Sequence, residues 1–304
     1  MLRKLTILIV ALAVLGAAAF WLVTIPQTVA AGALGPHQAD LANGRTMFIA
    51  GGCSGCHASP GTEDKSRLGG GLALKSPFGT FYIPNISSDP RDGIGAWSEA
   101  DFVTALSKGT SPDGRHYYPA FPYTSYQRMR LNDLRDLFAY LKTLPAVSGT
   151  IRDHDLPFPF AFRRGIGLWK LLYLDGVPFT PDPAKSAVLN RGAYLVEGPG
   201  HCAECHSPRS FTGGIIAAQR FAGGPNPEGK GWIPNITQKD LGDWSEKDIA
   251  YLLETGQTPD GDSIGGAMTE VVRHTAQLAP EDRAAIAAYV KSLPPVEGPK
   301  PTKK

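Results

Sequence analysis

The sequence is short of sulfur: its 304 residues include four cysteines and four methionines. Four cysteines are few for a disulfide scaffold, and their placement (below) leaves none for a four-cysteine zinc site. No charge of one sign dominates. Lysine plus arginine number 30 and aspartate plus glutamate 28, a net charge of +2, and no basic stripe gathers the cations, so nucleic acid is excluded as a partner. Charged residues make up 19% and hydrophobic residues 42%, which excludes a disordered chain and allows real cores. The period-two alternation of strands is nearly absent, so the expected fold is mainly α. A Walker loop, a dinucleotide fingerprint and a nucleophile elbow are missing too, and no catalytic residue is assigned.

One stretch lacks charge altogether, from Leu5 to Ile25. At about 1.5 Å per residue it matches the roughly 30 Å hydrocarbon core of a bilayer. Arg3 and Lys4 precede it and the next charge is Asp40, a pattern that predicts a cytoplasmic N-terminus and export of the remainder. Trp21 lies near the outer end, where an interfacial aromatic belongs. Val29-Ala30-Ala31 would suit signal cleavage, but the apolar run outlasts the about 7–15 residues of a signal core. The expectation is an uncleaved signal anchor and linker over 1–36. Either way the rest reaches an oxidising compartment, where free thiols would not persist.

What is there is a repeat. The first pass runs Asn43-Gly44-Arg45, Cys53-Ser-Gly-Cys-His57, Tyr82-Ile-Pro-Asn-Ile86, Trp97-Ser98-Glu99, Ser111-Pro-Asp-Gly114 and Leu137 to Pro145. The second runs Asn190-Arg191-Gly192, Cys202-Ala-Glu-Cys-His206, Trp232-Ile-Pro-Asn-Ile236, Trp244-Ser245-Glu246, Thr258-Pro-Asp-Gly261 and Ile286 to Pro294. The period is too long for a solenoid and right for two similar domains, expected over 37–150 and 186–295. Ser98 and Ser245 read as helix N-caps with acidic residues after them. Leu134, Leu137, Phe138 and Leu141 form a helical stripe stopped by Pro145. Between the domains, a proline- and aromatic-rich connector over 151–185 holds an apolar helix candidate from Ile166 to Leu174. It is too apolar for a free tether and should pack between the domains or meet a partner or the membrane surface. A tail over 296–304 should be solvated, frayed from Lys300 onward.

Every cysteine belongs to a C-x-x-C-H: Cys53, Cys56 and His57, then Cys202, Cys205 and His206. Two cysteines three apart on a helical turn can each bond a vinyl group of a porphyrin, and the histidine beside them then ligates the iron. A thioredoxin-like site would need a βαβ setting, and a zinc half-site a further ligand nearby. The motifs predict two covalently attached haems c. Pro60 and Pro208, shortly after each histidine, are candidates to accept a hydrogen bond from its other ring nitrogen.

Residues 37–295 resemble the membrane-anchored, multihaem cytochrome c subunits that accompany periplasmic alcohol, aldehyde and sugar-acid (gluconate-type) dehydrogenases in bacteria. Besides the haem motifs, the likeness rests on Pro84-Asn-Ile-Ser87, Ile94-Gly-Ala-Trp-Ser98 and Pro112-Asp-Gly-Arg-His-Tyr-Tyr-Pro-Ala-Phe-Pro-Tyr123. Many such relatives carry three haem motifs where this chain has two. The resemblance implies tandem cytochrome c domains behind an inner-membrane helix, with the haems in the periplasm. It implies electron transfer from a dehydrogenase subunit to a quinone, a cytochrome or an oxidase.

It also bears on ligands. Met268, after the second Pro-Asp-Gly, is placed like the distal methionine of the cytochrome c family and is assigned to haem 2. Aligning the repeats on Pro-Asp-Gly puts Phe121 opposite Met268, where relatives often have methionine. Haem 1 is left with Met129, with His116 or with a vacant position; the vacant case would open a peroxidase-like or small-sulfur-compound-oxidising alternative. Met47 reads as a core residue. Asn85 with Trp97, and Asn235 with Trp244, fall in the stretch that resembles the propionate-facing side of cytochrome c, where amide and indole N–H groups satisfy buried carboxylates. His37, His154, His201 and His274 belong to no motif and default to surface or structural roles.

Overall fold

The computed structural model describes residues 1–149, 151–226, 229 and 231–300. The tail beyond residue 300, expected to fray, lies outside the described residues. The first element, α1 (Leu2–Val23), has no buried residue. Its 22 residues and their composition suffice to cross a membrane.

Two helical units follow. Unit 1 contains α2 (Leu41–Ala50), α3 (Cys53–His57), the hairpin β1 (Ala73–Ser76) and β2 (Gly79–Tyr82), α4 (Glu99–Lys108), α5 (Tyr123–Tyr126) and α6 (Leu131–Thr143). The connector contributes α7 (Ile166–Tyr173). Unit 2 contains α8 (Ala187–Glu197), α9 (Ala203–His206), the short hairpin β3 (Gly224–Pro225) and β4 (Trp232–Ile233), α10 (Glu246–Thr255), α11 (Met268–Thr275) and α12 (Pro280–Ser292). Both hairpins are antiparallel, and sequence pattern had not foretold them.

The first and last helices of each unit cross at a glycine. A Cβ on Gly44 would lie 2.2 Å from the Asp136 carbonyl of α6, and one on Gly192 would lie 1.9 Å from the Ala285 carbonyl of α12. Only glycine lets the two backbones approach this closely. The predicted caps form: Ser98 and Ser245 each accept from the third residue of their helix, and Asp101 and Asp248 return the bond to the cap N–H. Both helices end on a left-handed glycine, Gly109 and Gly256.

The cores of the units merge into one. Tyr194, Leu195 and Val196 of α8 share a buried cluster with Met47, Met129 and Leu134. The connector bridges the two. Lys170 Nζ donates to the carbonyls of Lys108 and Gly109 in unit 1, and Trp169 Nε1 donates to the Thr212 carbonyl in unit 2.

Candidate haem sites

Each C-x-x-C-H forms one helical turn, which brings its two thiols to the same side. Cys53 and Cys202 are half-buried while Cys56 and Cys205 are exposed. Burial, with help from the Cys56 charge, pushes the Cys53 thiol up to about 12. Burial, with Glu197 and Cys205, does the same at Cys202. A redox-active C-x-x-C needs the opposite shift, toward thiolate. Neither of these two thiols is therefore poised for disulfide exchange.

The histidines are oriented by one ring nitrogen. His57 Nδ1 donates to the Pro84 carbonyl at 2.9 Å, and His206 Nδ1 donates to the Pro234 carbonyl at 2.8 Å. The acceptors expected from sequence, Pro60 and Pro208, are thereby corrected. The partner is the proline of the repeated Ile-Pro-Asn-Ile, which passes beside the motif because Gly70 N–H and Gly223 N–H bond the His57 and His206 carbonyls. With Nδ1 protonated, Nε2 keeps its lone pair for a metal. Burial lowers His57 to about 4 against the opposing Pro84 bond, so the imidazole is neutral at physiological pH. This donor set fits a haem iron held through Nε2.

The Asn…Trp stretch divides its labour. Asn85 Nδ2 donates to the carbonyls of Val147 and Gly149, and Asn235 Nδ2 donates to that of Val296. Both amides tie down the chain that follows each unit's last helix. Trp97 and Trp244 are half-buried, and neither indole N–H finds an acceptor among the described residues.

After the Pro-Asp-Gly turn the units diverge. Met268, half-buried, is the first residue of α11. Phe121, opposite it, sits among Tyr117, Tyr123 and Tyr126, with ring centroids 5.5, 6.3 and 5.6 Å away. His116 is turned elsewhere: its Nε2 donates to the Thr24 carbonyl at the end of α1, 2.8 Å away. Met129 is buried at 3% exposure. Its N–H bonds the Tyr126 carbonyl one residue after Arg128 N–H bonds Ser125, and Leu278 N–H bonds Thr275 in the same series before α12. Met129 therefore holds the place in unit 1 that the core residue Leu278 holds in unit 2. Its Cγ also comes within 3.7 Å of a Cβ built on Gly198, across the unit boundary. Met47 is fully buried, as expected of a core residue.

Sequence reasoning missed how the units meet. Ser54, inside the first motif, bonds His274 Nε2 of α11 at 2.7 Å. Reciprocally Glu204, inside the second motif, accepts from Thr124 and Ser125 of α5 at 2.7 and 3.0 Å, with Arg209 neutralising it. His201 Nε2 reaches the Gly51 carbonyl at 3.3 Å and stacks edge-on with Tyr126, centroids 5.7 Å apart. Each attachment turn is thus covered by the distal helix of the other unit. The only sequence signal was negative: His201 and His274 had no motif of their own to explain them. The two attachment turns are thereby held against one another's units through a single shared contact.

Comparison with known proteins agrees with this geometry. The cytochrome c family model matches residues 41–145 and again 189–294. A diheme cytochrome c-type protein of Cereibacter sphaeroides is 48% identical over 300 residues, covering 97% of this chain and 99% of that one. The fructose dehydrogenase cytochrome subunit of Gluconobacter japonicus is 36% identical over 265 residues, 85% of this chain and 53% of its own. The cytochrome c subunit of the quinone alcohol dehydrogenase of Gluconacetobacter polyoxogenes is 38% identical over 258 residues, 81% of this chain and 54% of its own. The chain thus spans about half the length of these two dehydrogenase subunits. Two attachment turns, two oriented histidines and two family matches lead to one conclusion: the chain belongs to the cytochrome c family, as a two-domain electron-transfer protein with two covalently attached c-type haems.

Proposed function

We propose that this dihaem cytochrome takes electrons from a periplasmic dehydrogenase and delivers them to a quinone, a cytochrome or an oxidase of the respiratory chain. The observation that carries the reading is the reciprocal packing of the attachment turns, Ser54 on His274 and Glu204 on Thr124 and Ser125, which joins the two haem sites into one conduit. The dehydrogenase donor is supported by relatives that are cytochrome subunits of fructose and alcohol dehydrogenases. In native membranes, substrate of the partner dehydrogenase should reduce both haems. Haems that respond to ascorbate but to no dehydrogenase substrate would overturn the donor.

His57 and His206 are the proximal iron ligands in this reading, and Met268 is the sixth ligand of haem 2. Trp97 and Trp244, whose indoles have no protein acceptor among the described residues, donate to haem propionates, while Asn85 and Asn235 hold the chain beside them. The location proposed is the bacterial inner membrane, crossed by α1, with both units in the periplasm. Retention of α1 is supported by its grip on the body. Thr24 accepts from His116 through its carbonyl and from Arg164 through Oγ1, and Val29 N–H donates to Thr104. Cleavage after Ala31 would discard all three bonds.

One observation favours a second reading at haem 1. Phe121 stands in register with Met268 and Met129 with Leu278, which leaves haem 1 with Met129, with His116 or with a vacant position, and a vacant position would admit peroxide or a small sulfur compound. Cyanide and peroxide binding by the ferric protein decides between the two readings. Electron transfer alone requires that neither haem bind readily.

A further inference from the structure

Helix α7 is inside out. Its inward face carries Gly167 and Lys170, its two buried residues, and the lysine is at the centre of the contact with unit 1. Its outward face carries Leu168, Leu171 and Leu172, which are 44%, 63% and 71% exposed. A surface helix of a water-soluble body has the reverse polarity. Here the apolar stripe is turned away from the core and needs a cover from outside.

The rest of the neighbourhood matches. Phe158 is 88% exposed, Phe162 55% and Phe211, at the tip of a loop of unit 2, 97%. These residues form one surface rather than scattered sites. Tyr173 and Trp169 of α7 bond Thr212, next to Phe211. Phe160 packs edge-on to Phe78, whose ring in turn borders Gly213.

What covers this surface is indicated by α1. The end of α1 is clamped against the same region: Phe20 stacks on Phe162 at 6.0 Å, the Arg164 guanidinium lies 4.2 Å over the Trp21 ring, and Thr24 fills the space against Gly167. Arg164 also donates to the Trp21 carbonyl, satisfying one of the helix's last acceptors. A bilayer crossed by α1 must therefore have its surface at about Trp21, and the exposed leucines and phenylalanines begin at that level. We infer that α7 and the Phe211 loop form a second membrane contact, seated in the interface of the outer leaflet, so that the haem units are held against the bilayer in one orientation instead of swinging on a tether. The inference rests on the reading of α1 as a membrane-spanning helix.

The native cysteines are thioether-bonded in the mature protein, so a single introduced cysteine can take a nitroxide label. Leu171→Cys, Leu172→Cys, Phe211→Cys, Leu12→Cys and, as an aqueous reference, Lys247→Cys would each be labelled in the full-length protein. The labelled proteins would then be placed in discs of phosphatidylethanolamine and phosphatidylglycerol with the haems oxidised, and the constant relaxation due to the ferric irons subtracted as the value under nitrogen. Collision rates with oxygen, which concentrates in lipid, and with a water-soluble nickel chelate are then compared by power-saturation spectroscopy. Labels at 171, 172 and 211 are expected to give oxygen-to-nickel ratios several-fold above that at 247. Ratios equal to that at 247, with a lipid-like value at 12, would overturn the second contact and leave the anchor standing. A water-like value at 12 as well would bring down both. Shielding of 171, 172 and 211 from both reagents would also overturn the inference, by revealing a protein cover such as a second copy.

Discussion

Unit 1 and unit 2 share the parts that hold a cofactor and differ in the parts that finish it. Both have the glycine crossing, the Ser–Asp capping box, the Ile-Pro-Asn-Ile loop whose proline carbonyl accepts a hydrogen bond from the histidine Nδ1, and the Asn that ties the following chain. They separate after the Pro-Asp-Gly turn. Tyr117 N–H bonds Gly109 as Ile264 N–H bonds Gly256, but α5 is a single turn where α11 has two. Unit 2 spends its extra length on a methionine at the head of α11, and unit 1 fills the same place with Phe121 and three tyrosines. The duplication shows what attachment of a haem requires of this fold, and the divergence shows where two irons in one chain can be made unequal.

The strongest way to break the comparison is to remove what the units share. Gly192→Ala puts a methyl carbon into the Ala285 carbonyl, and Gly44→Ala does so at Asp136. Each should cost about 3 kcal/mol, the upper end for overpacking, checked by denaturant unfolding followed at the haem absorption. Next comes the divergent turn. Met268→Ala should leave haem 1 unchanged and lower the potential of haem 2 by on the order of 0.1 V, within the range that axial ligands command. Met129→Leu, which copies Leu278, should change neither potential and cost less than about 1.5 kcal/mol. A loss of methionine-to-iron charge transfer from haem 1 in that variant would make Met129 its ligand after all.

Much of this was legible in sequence because it was written twice. The C-x-x-C-H turns, the Ser98 and Ser245 caps and the stripe ending at Pro145 are local patterns, and local physics enforces them. The connector helix was legible for its apolar run, but not its orientation, since Lys170 pointing inward depends on carbonyls of Lys108 and Gly109 far off in the chain. Pro60 and Pro208 were chosen for nearness in sequence, whereas the ring nitrogens bond Pro84 and Pro234, brought in by loop closure. Met129 is a candidate ligand because thioethers are scarce. Only the backbone bonds of its turn align it with Leu278.

A third test concerns charge. Asp136 has Ala285 as its counterpart at the crossing, so unit 1 alone carries a carboxylate there, bonded to Asn43, the Asp40 N–H and His37. Burial alone would raise this carboxyl, but those donors outweigh it and hold it below the usual range. A carboxylate depressed in the folded state stabilises above its unfolded value of about 3.9 and loses that contribution as pH falls through the folded value. Asp136→Ala should cost about 1–2 kcal/mol at neutral pH and flatten the acid limb of the protein's stability curve.

The smallest effect is the most even-handed. Ser98 and Ser245 form the same capping box, at 3.2 Å to the third helical N–H in both units, on helices of 10 residues each. Ser98→Ala and Ser245→Ala should therefore each cost about 1 kcal/mol, with neither potential moving, because the caps lie on helix starts that carry no iron ligand. Equal losses by thermal unfolding would show that the duplicated scaffold is equivalent at its caps, leaving the Phe121 and Met268 turns as the place where the units differ. A loss confined to one unit, or a shift in either potential, would show that the scaffold itself has diverged.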